Sequence, residues 1–171
     1  MMILCGAVLT PALRIDAQSA APAEKFGPKW HVLLGEWKGE NGPKGGSGAC
    51  TFRLELGGHI IVRTNYAVLP PGGNAPAGTH EDLMIIYPSS TEDKARAVYF
   101  DNEGHVIEYY SEWTNDGNTL LFVTKPGTGP TFKLVYEKVD PNTFSVRLET
   151  ATPGQGGFKV HTAGKIKRGG G

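Results

Sequence analysis

Clusters of turn-forming residues recur along most of the chain at nearly even spacing, and no other feature restricts its fold as strongly. Gly57-Gly58, Asp101-Asn102-Glu103-Gly104, Asn115-Asp116-Gly117-Asn118, Asp140-Pro141-Asn142 and Pro153-Gly154-Gln155-Gly156-Gly157 each hold residues that accept a positive φ or pre-set a bend. With 24 glycines and 12 prolines among 171 residues, chain reversals are too frequent to leave room for long helices. The intervening stretches alternate in polarity, and predict strands near residues 35–40, 48–56, 59–69, 79–87, 95–101, 106–114, 119–124, 131–138, 143–150 and 158–167. The fold class is therefore all-β: about ten strands joined mostly as an antiparallel meander. A meander this long must hide its edges, and closing into an up-and-down barrel does so; a two-sheet sandwich would carry the same strand signals. Residues 70–78 (PPGGNAPAG) are too many for a tight turn and are expected to form a mouth loop.

Alternation also assigns faces. Trp37 and Gly39 oppose Glu36, Lys38 and Glu40; Cys50, Phe52, Leu54 and Leu56 oppose Arg53 and Glu55; Ile60, Val62, Thr64 and Tyr66 oppose Arg63 and Asn65. The first set in each case is expected to face inward, continued by Phe132, Leu134 and Tyr136 and by Phe144, Val146 and Leu148, to give an apolar interior with few charges. Ahead of the strands, Trp30, Leu33 and Leu34 stand at i, i+3 and i+4 after Pro28, which predicts one amphipathic helical turn plugging an end. On the last strand Phe158, Val160, Thr162 and Ile166 share one parity, and Lys159, His161, Ala163, Lys165 and Lys167 the other. Lysines do not face an apolar interior, so His161 is expected outside; only a bulge between Val160 and Ala163 would separate it from the lysines that follow.

Residues 2–13 (MILCGAVLTPAL) form an apolar run of the length of a signal-peptide core, followed by the small residues Ala17, Ser19, Ala20 and Ala21. The expected organisation is a secretory signal over 1–20, a linker and helical plug over 21–32, and a β-barrel domain over 33–168, with a periplasmic or secreted location. The apolar run is far shorter than the ~20 residues that cross a bilayer, so no stable membrane anchor is expected. Cleavage removes Cys5 and leaves Cys50, which alternates with Phe52 and Leu54 and reads as a buried small hydrophobe. Seventeen basic and 17 acidic side chains cancel to a formal net charge of zero. That balance supplies no positive field for polyphosphate, and nucleic acid is not an expected partner.

The string Leu33-Leu34-Gly35-Glu36-Trp37-Lys38-Gly39-Glu40 resembles the G-x-W strand start of calycin-like barrels, the lipocalins and nitrobindins among them. A tryptophan there fills the closed end and lets its indole N–H reach a backbone carbonyl, while the following glycine permits close strand crossing. The similarity extends through Thr51-Phe52-Arg53-Leu54-Glu55-Leu56-Gly57-Gly58-His59-Ile60-Ile61-Val62 to Phe158-Lys159-Val160, a layout similar to the bacterial family called DUF1579. The resemblance covers nearly all of residues 33–168, implies a lipocalin-type barrel, and brings no activity with it. Nitrobindins bind haem through a histidine on the last strand, and His161 lies at a comparable place. Their G-x-W-x-G-x-G pattern is broken here, because Asn41 stands where the last glycine belongs and Gly42 comes one place late.

Other constellations carry less chemistry. His80 and Asp82 share a strand face and, with His105 or His161, could imitate a 2-His-1-carboxylate iron site. The histidines lack ligand spacing, so the pair reads as exposed polar residues at the start of a hairpin strand. His59 and His105 follow glycines in turns and are expected in solvent. Glu108 and Glu112 flank Tyr110 on what reads as an outer wall, and Lys165, Lys167 and Arg168 read as a solvated basic end. No nucleophile elbow, Walker or dinucleotide signature is present. The expected function is binding of a small, largely apolar molecule inside the barrel, lined by Trp37, Phe52, Thr64, Tyr66, Tyr109 and Tyr136, with no cofactor and no metal. The alternatives are a haem-binding barrel using His161, an enzyme with a mouth site around His80 and Asp82, and a partner-binding module with a filled core.

Overall fold

In the computed structural model the described residues are 26–40, 46–71, 76–89, 94–114, 116–125, 127, 129–154 and 156–169. The expected signal segment with Cys5, the start of the linker, residues 72–75 of the mouth loop, and Asn41 and Gly42 lie outside them. The strands are β1 (Gly35–Glu40), β2 (Ser47–Glu55), β3 (Ile60–Leu69), β4 (Gly78–Pro88), β5 (Lys94–Asp101), β6 (Val106–Trp113), β7 (Thr119–Thr124), β8 (Thr131–Asp140), β9 (Thr143–Ala151) and β10 (Lys159–Arg168). Each pairs antiparallel with the next, and β1 closes the ring against β10, with Trp37 opposite Arg168. The fold is thus a closed barrel rather than a sandwich, and closure removes the sheet edges.

The helical turn α1 (Pro28–His31) precedes β1, with a proline where the first turn needs no N–H donor. Trp30 and Leu33 are fully buried, and the Trp30 ring packs edge-on against Phe26 and Trp113, so α1 plugs one end. Trp37 is also fully buried, and its Nε1–H donates to the Leu33 carbonyl at 2.7 Å. Gly39, next on the same face, lies so near the neighbouring strand that a Cβ there would stand 3.4 Å from the Gly48 carbonyl oxygen.

Residues directly opposed in a ladder share a face. Cys50 and Phe52 face inward as expected. On β3, however, the register sets Asn65 opposite Cys50, Arg63 opposite Phe52 and Ile61 opposite Leu54. Ile61, Arg63 and Asn65 therefore point into the barrel, and Ile60, Val62, Thr64 and Tyr66 point out, the reverse of the expected parity. The cause lies in the connection, a 3-10 turn over Leu56–Gly58 followed by His59, which pairs Glu55 with Ile60. Even-numbered residues of β2 then face odd-numbered residues of β3. Leu56 belongs to that turn, with φ 49°, and is 73% exposed instead of facing the core. His59 is half-buried in the same turn.

β10 carries a second irregularity. Its register against β9 shifts between Val160 and Thr162, so that His161 is the extra residue of a bulge. Thr162, Gly164 and Ile166 oppose the inward-facing Leu148, Val146 and Phe144, whereas Val160 opposes the outward Glu149 and Lys159 opposes Thr150. Phe158 and Val160 are consequently exposed rather than inward.

Candidate functional site

An aromatic lattice fills the closed half of the barrel. Trp37 meets Phe144 at 5.1 Å between ring centroids, Tyr136 meets Phe144 at 6.2 Å, and Phe52 and Phe122 meet Tyr136 at 6.0 and 6.1 Å, all edge-to-face. Tyr109 joins through Phe122 at 6.2 Å. Four of the six expected lining residues, Trp37, Phe52, Tyr109 and Tyr136, are thus brought together inside. Thr64 and Tyr66 are not among them. They line a groove of about 600 Å3 over β2 to β5, together with the outward Ala49, Thr51, Leu83 and Phe100 and with atoms of Asn65, Asp82 and Asp101.

Above the lattice lies Arg63, which sequence parity had assigned to solvent and which is 6% exposed. β3 and β8 stand on opposite sides of the ring, so the bond from Arg63 Nη1 to the Tyr136 hydroxyl, 2.7 Å long, crosses the whole lumen. Arg63 Nη2 bonds Asp82 Oδ1, and Asn65 Nδ2 bonds Asp82 Oδ2 at 2.8 Å. Burial by itself would weaken the Arg63 cation; the Tyr136 oxygen and the Asp82 carboxylate outweigh it and hold the guanidinium protonated. Burial likewise pushes the Tyr136 hydroxyl up to about 12 and the Cys50 thiol up to about 11, with Arg63 partly offsetting both. The interior is therefore not purely apolar, and Asp82 is a buried partner rather than an exposed polar residue.

From Asp82 the polar chain continues to the rim. His80 Nε2 lies 3.3 Å from Asp82 Oδ2 and 3.1 Å from the Tyr99 hydroxyl, and His80 Nδ1 lies 3.2 Å from Glu103. Tyr99 donates to Asp101, whose carboxylate also accepts the His105 ring nitrogen at 2.9 Å. His105 is exposed but held. Both ring nitrogens of His80 are engaged, which leaves no lone pair aimed at a substrate proton. Among the described residues no group of three or more His, Cys, Asp and Glu side chains is placed to hold a metal ion. His161 is exposed on its bulge, and Glu108, Tyr110 and Glu112 are exposed on the outer face of β6.

The opposite wall is different in kind. Phe132, Leu134 and Val146 face inward yet are only partly buried against the core, and Thr162 and Gly164 beside them face inward and are exposed. A Cβ added at Gly164 would meet no atom within 4 Å. Among the described residues the upper lumen is thus a cup open to solvent. The Arg63–Tyr136 bridge lies across its floor, the Asp82–His80–Tyr99 chain forms one wall, and an apolar wall with small residues on β10 faces it.

Arg63 and Gly164 were missed from the sequence, and Asp82, singled out there with His80, was expected exposed rather than buried. Ile60-Ile61-Val62 and Leu83-Met84-Ile85-Ile86 are unbroken apolar runs in which parity is ambiguous, and only the length of the 56–59 connection decides it. No protein-family model matches the chain, and no curated protein matches it significantly.

Proposed function

We propose that the protein is an exported barrel of the calycin type, similar to the DUF1579 family, that holds a small, largely apolar molecule in this cup. The observation that carries the reading is the open inner face of Gly164 and Thr162 beside the half-buried Phe132, Leu134 and Val146. Apolar side chains left accessible inside a concave, largely pre-formed wall are what small-molecule sites are made of. The floor supplies the few fixed polar groups: the Arg63–Asp82 pair and the Tyr136 hydroxyl, which accepts from Arg63 and keeps its own hydrogen to donate. Trp37, beneath the floor in the closed half, supports the site without touching the ligand.

Titration with the neutral fluorophore N-phenylnaphthylamine tests this reading. Gly164→Trp fills the cup from a strand position whose backbone any residue adopts, so affinity is expected to fall about tenfold or more while the unfolding midpoint stays within a few degrees. Gly164→Leu gives a smaller loss in the same direction. Wild-type protein that fails to bind the probe, or binding indifferent to both substitutions, would overturn the reading.

A further inference from the structure

The bulge at His161 sets the charge of the cup's rim. Had β10 kept its alternation through Thr162, Val160 would face inward and Lys159 would face out among the other lysines. The register shift reverses both: Lys159 lies opposite Thr150, on the inner face, at the mouth end of the apolar wall. Thr150 in turn lies opposite Phe132. The ammonium of Lys159 is therefore carried at the lip of the cup, with the hydroxyl-bearing Thr150 and Thr162 on the same face below it.

Among the described residues that cation is uncompensated, whereas several charges near it are matched. Lys133, on the outer face of β8, lies 2.5 Å from Glu149, and Arg147 bonds both Glu137 and Glu149. Across the mouth, Asp82 is paired with Arg63, Asp101 accepts His105 and Tyr99, and Glu103 lies against His80. Lys159 has no carboxylate partner among the described residues. One lip of the cup is thus cationic, above an apolar wall, and its floor is internally neutral because Asp82 cancels Arg63.

We infer that the ligand is an anionic amphiphile, whose apolar body lies against Leu134 and Val146 and whose acidic group remains at the rim on Lys159. This rests on the cup being the ligand site. A neutral floor rejects a buried carboxylate or sulfonate, since an unmatched charge there loses its hydration, while a rim cation takes the same group with its solvent largely kept.

The test is a matched pair of probes on the full protein: N-phenylnaphthylamine, and anilinonaphthalene sulfonate, which is the same skeleton bearing one anionic group. Lys159→Met is expected to weaken the sulfonate about three- to fivefold and to leave the neutral probe unchanged. Lys159→Arg keeps the wild-type ratio, and the sulfonate's advantage shrinks with added salt. An equal effect of Lys159→Met on both probes, or none on either, overturns the inference while leaving the cup in place. Gly164→Trp separates the two claims, because it must remove both probes if the cup is the site. A neutral probe that does not respond to it condemns the cup itself, and the inference with it.

Discussion

The Arg168 guanidinium lies over the Trp37 ring, 4.4 Å from its centroid, and donates through Nη1 to the Leu34 carbonyl at 2.6 Å and through Nη2 to the Val32 carbonyl at 2.9 Å. The last residue of β10 thereby holds the first strand and the turn that plugs the barrel. Arg168 had read from sequence as part of a solvated basic end. Its half-burial instead follows from the register, since Trp37 and Arg168 are opposite residues of the closing ladder.

Truncating Trp37 to alanine is expected to cost ~3–5 kcal/mol, the range for a large core aromatic. Arg168→Ala, which removes two carbonyl bonds and a cation–π contact, is expected to cost ~1–3 kcal/mol, with Arg168→Lys recovering little because an ammonium cannot reach both carbonyls from one plane. Urea unfolding of the three variants checks the order. A loss below ~1 kcal/mol for Trp37→Ala contradicts its place in the core.

Arg63→Met leaves Asp82 buried without its guanidinium partner, and is expected to lose ~3–5 kcal/mol. Combining it with Asp82→Asn removes the stranded charge, and should return at least ~1.5 kcal/mol of that loss. A double variant no more stable than Arg63→Met would show that the lumen-crossing bond to Tyr136, and not the ion pair, carries the stability.

Cys50 is buried and its thiol is pushed up to about 11, chiefly by burial. At pH 8 only about one molecule in a thousand carries the reactive thiolate. In a Cys5→Ser background, native protein should therefore react with a disulfide reagent at the rate of its own opening, and instantly in denaturant. Prompt reaction of the folded protein would contradict this.

Acid stability is expected to follow Glu149 and Asp101. Lys133 and then Arg147 hold Glu149 below its ordinary value of 4.5 against the opposing effect of burial; for Asp101, burial opposes, and bonds from His105, Tyr99 and Glu103 win, leaving it below 3.8. Groups depressed in the folded state stabilise it above their unfolded values, and lose that contribution as pH falls through the folded ones. Urea midpoints should thus be flat from pH 7 to about 5 and fall below about 4.5. Glu149→Gln should be less stable than wild type at pH 7 and indistinguishable from it at pH 2.

His161 is the exposed extra residue of the bulge between Val160 and Thr162. Haem added to the protein is expected to give no Soret shift that His161→Ala removes. A shift lost in that variant would establish the nitrobindin-like reading.

Most of the strands were legible because their ends coincide with glycines and asparagines whose backbone preferences act locally, as at Asp101–Gly104 and Asp140–Asn142. The closed end was legible for a related reason: Trp37 stands alone among charges, so its parity has one reading, and the indole bond to Leu33 follows. The candidate site was not, because it depends on parity within Ile60-Ile61-Val62, where every neighbour is apolar, and on long-range register. Whether Arg63 lies inside is decided by the turn at Leu56–Gly58 together with the distant Asp82 and Tyr136. The cationic rim at Lys159 depends on one register shift at His161, and alternation carries no mark of where such a shift falls.

The ring is closed by its two most distant strands, and this governs how the chain must reach its native state. β1 and β10 bring Trp37 beside Arg168, so the loop entropy of almost the entire domain is charged to that one ladder, while every other pairing joins sequence neighbours. Hairpins are expected to form ahead of that ladder, so the species that precedes closure is a curved sheet with two bare edges. Such a species is prone to pair with other copies of itself, and β10 is the edge that carries Lys159, Lys165 and Lys167, charges that deter that pairing until β1 arrives.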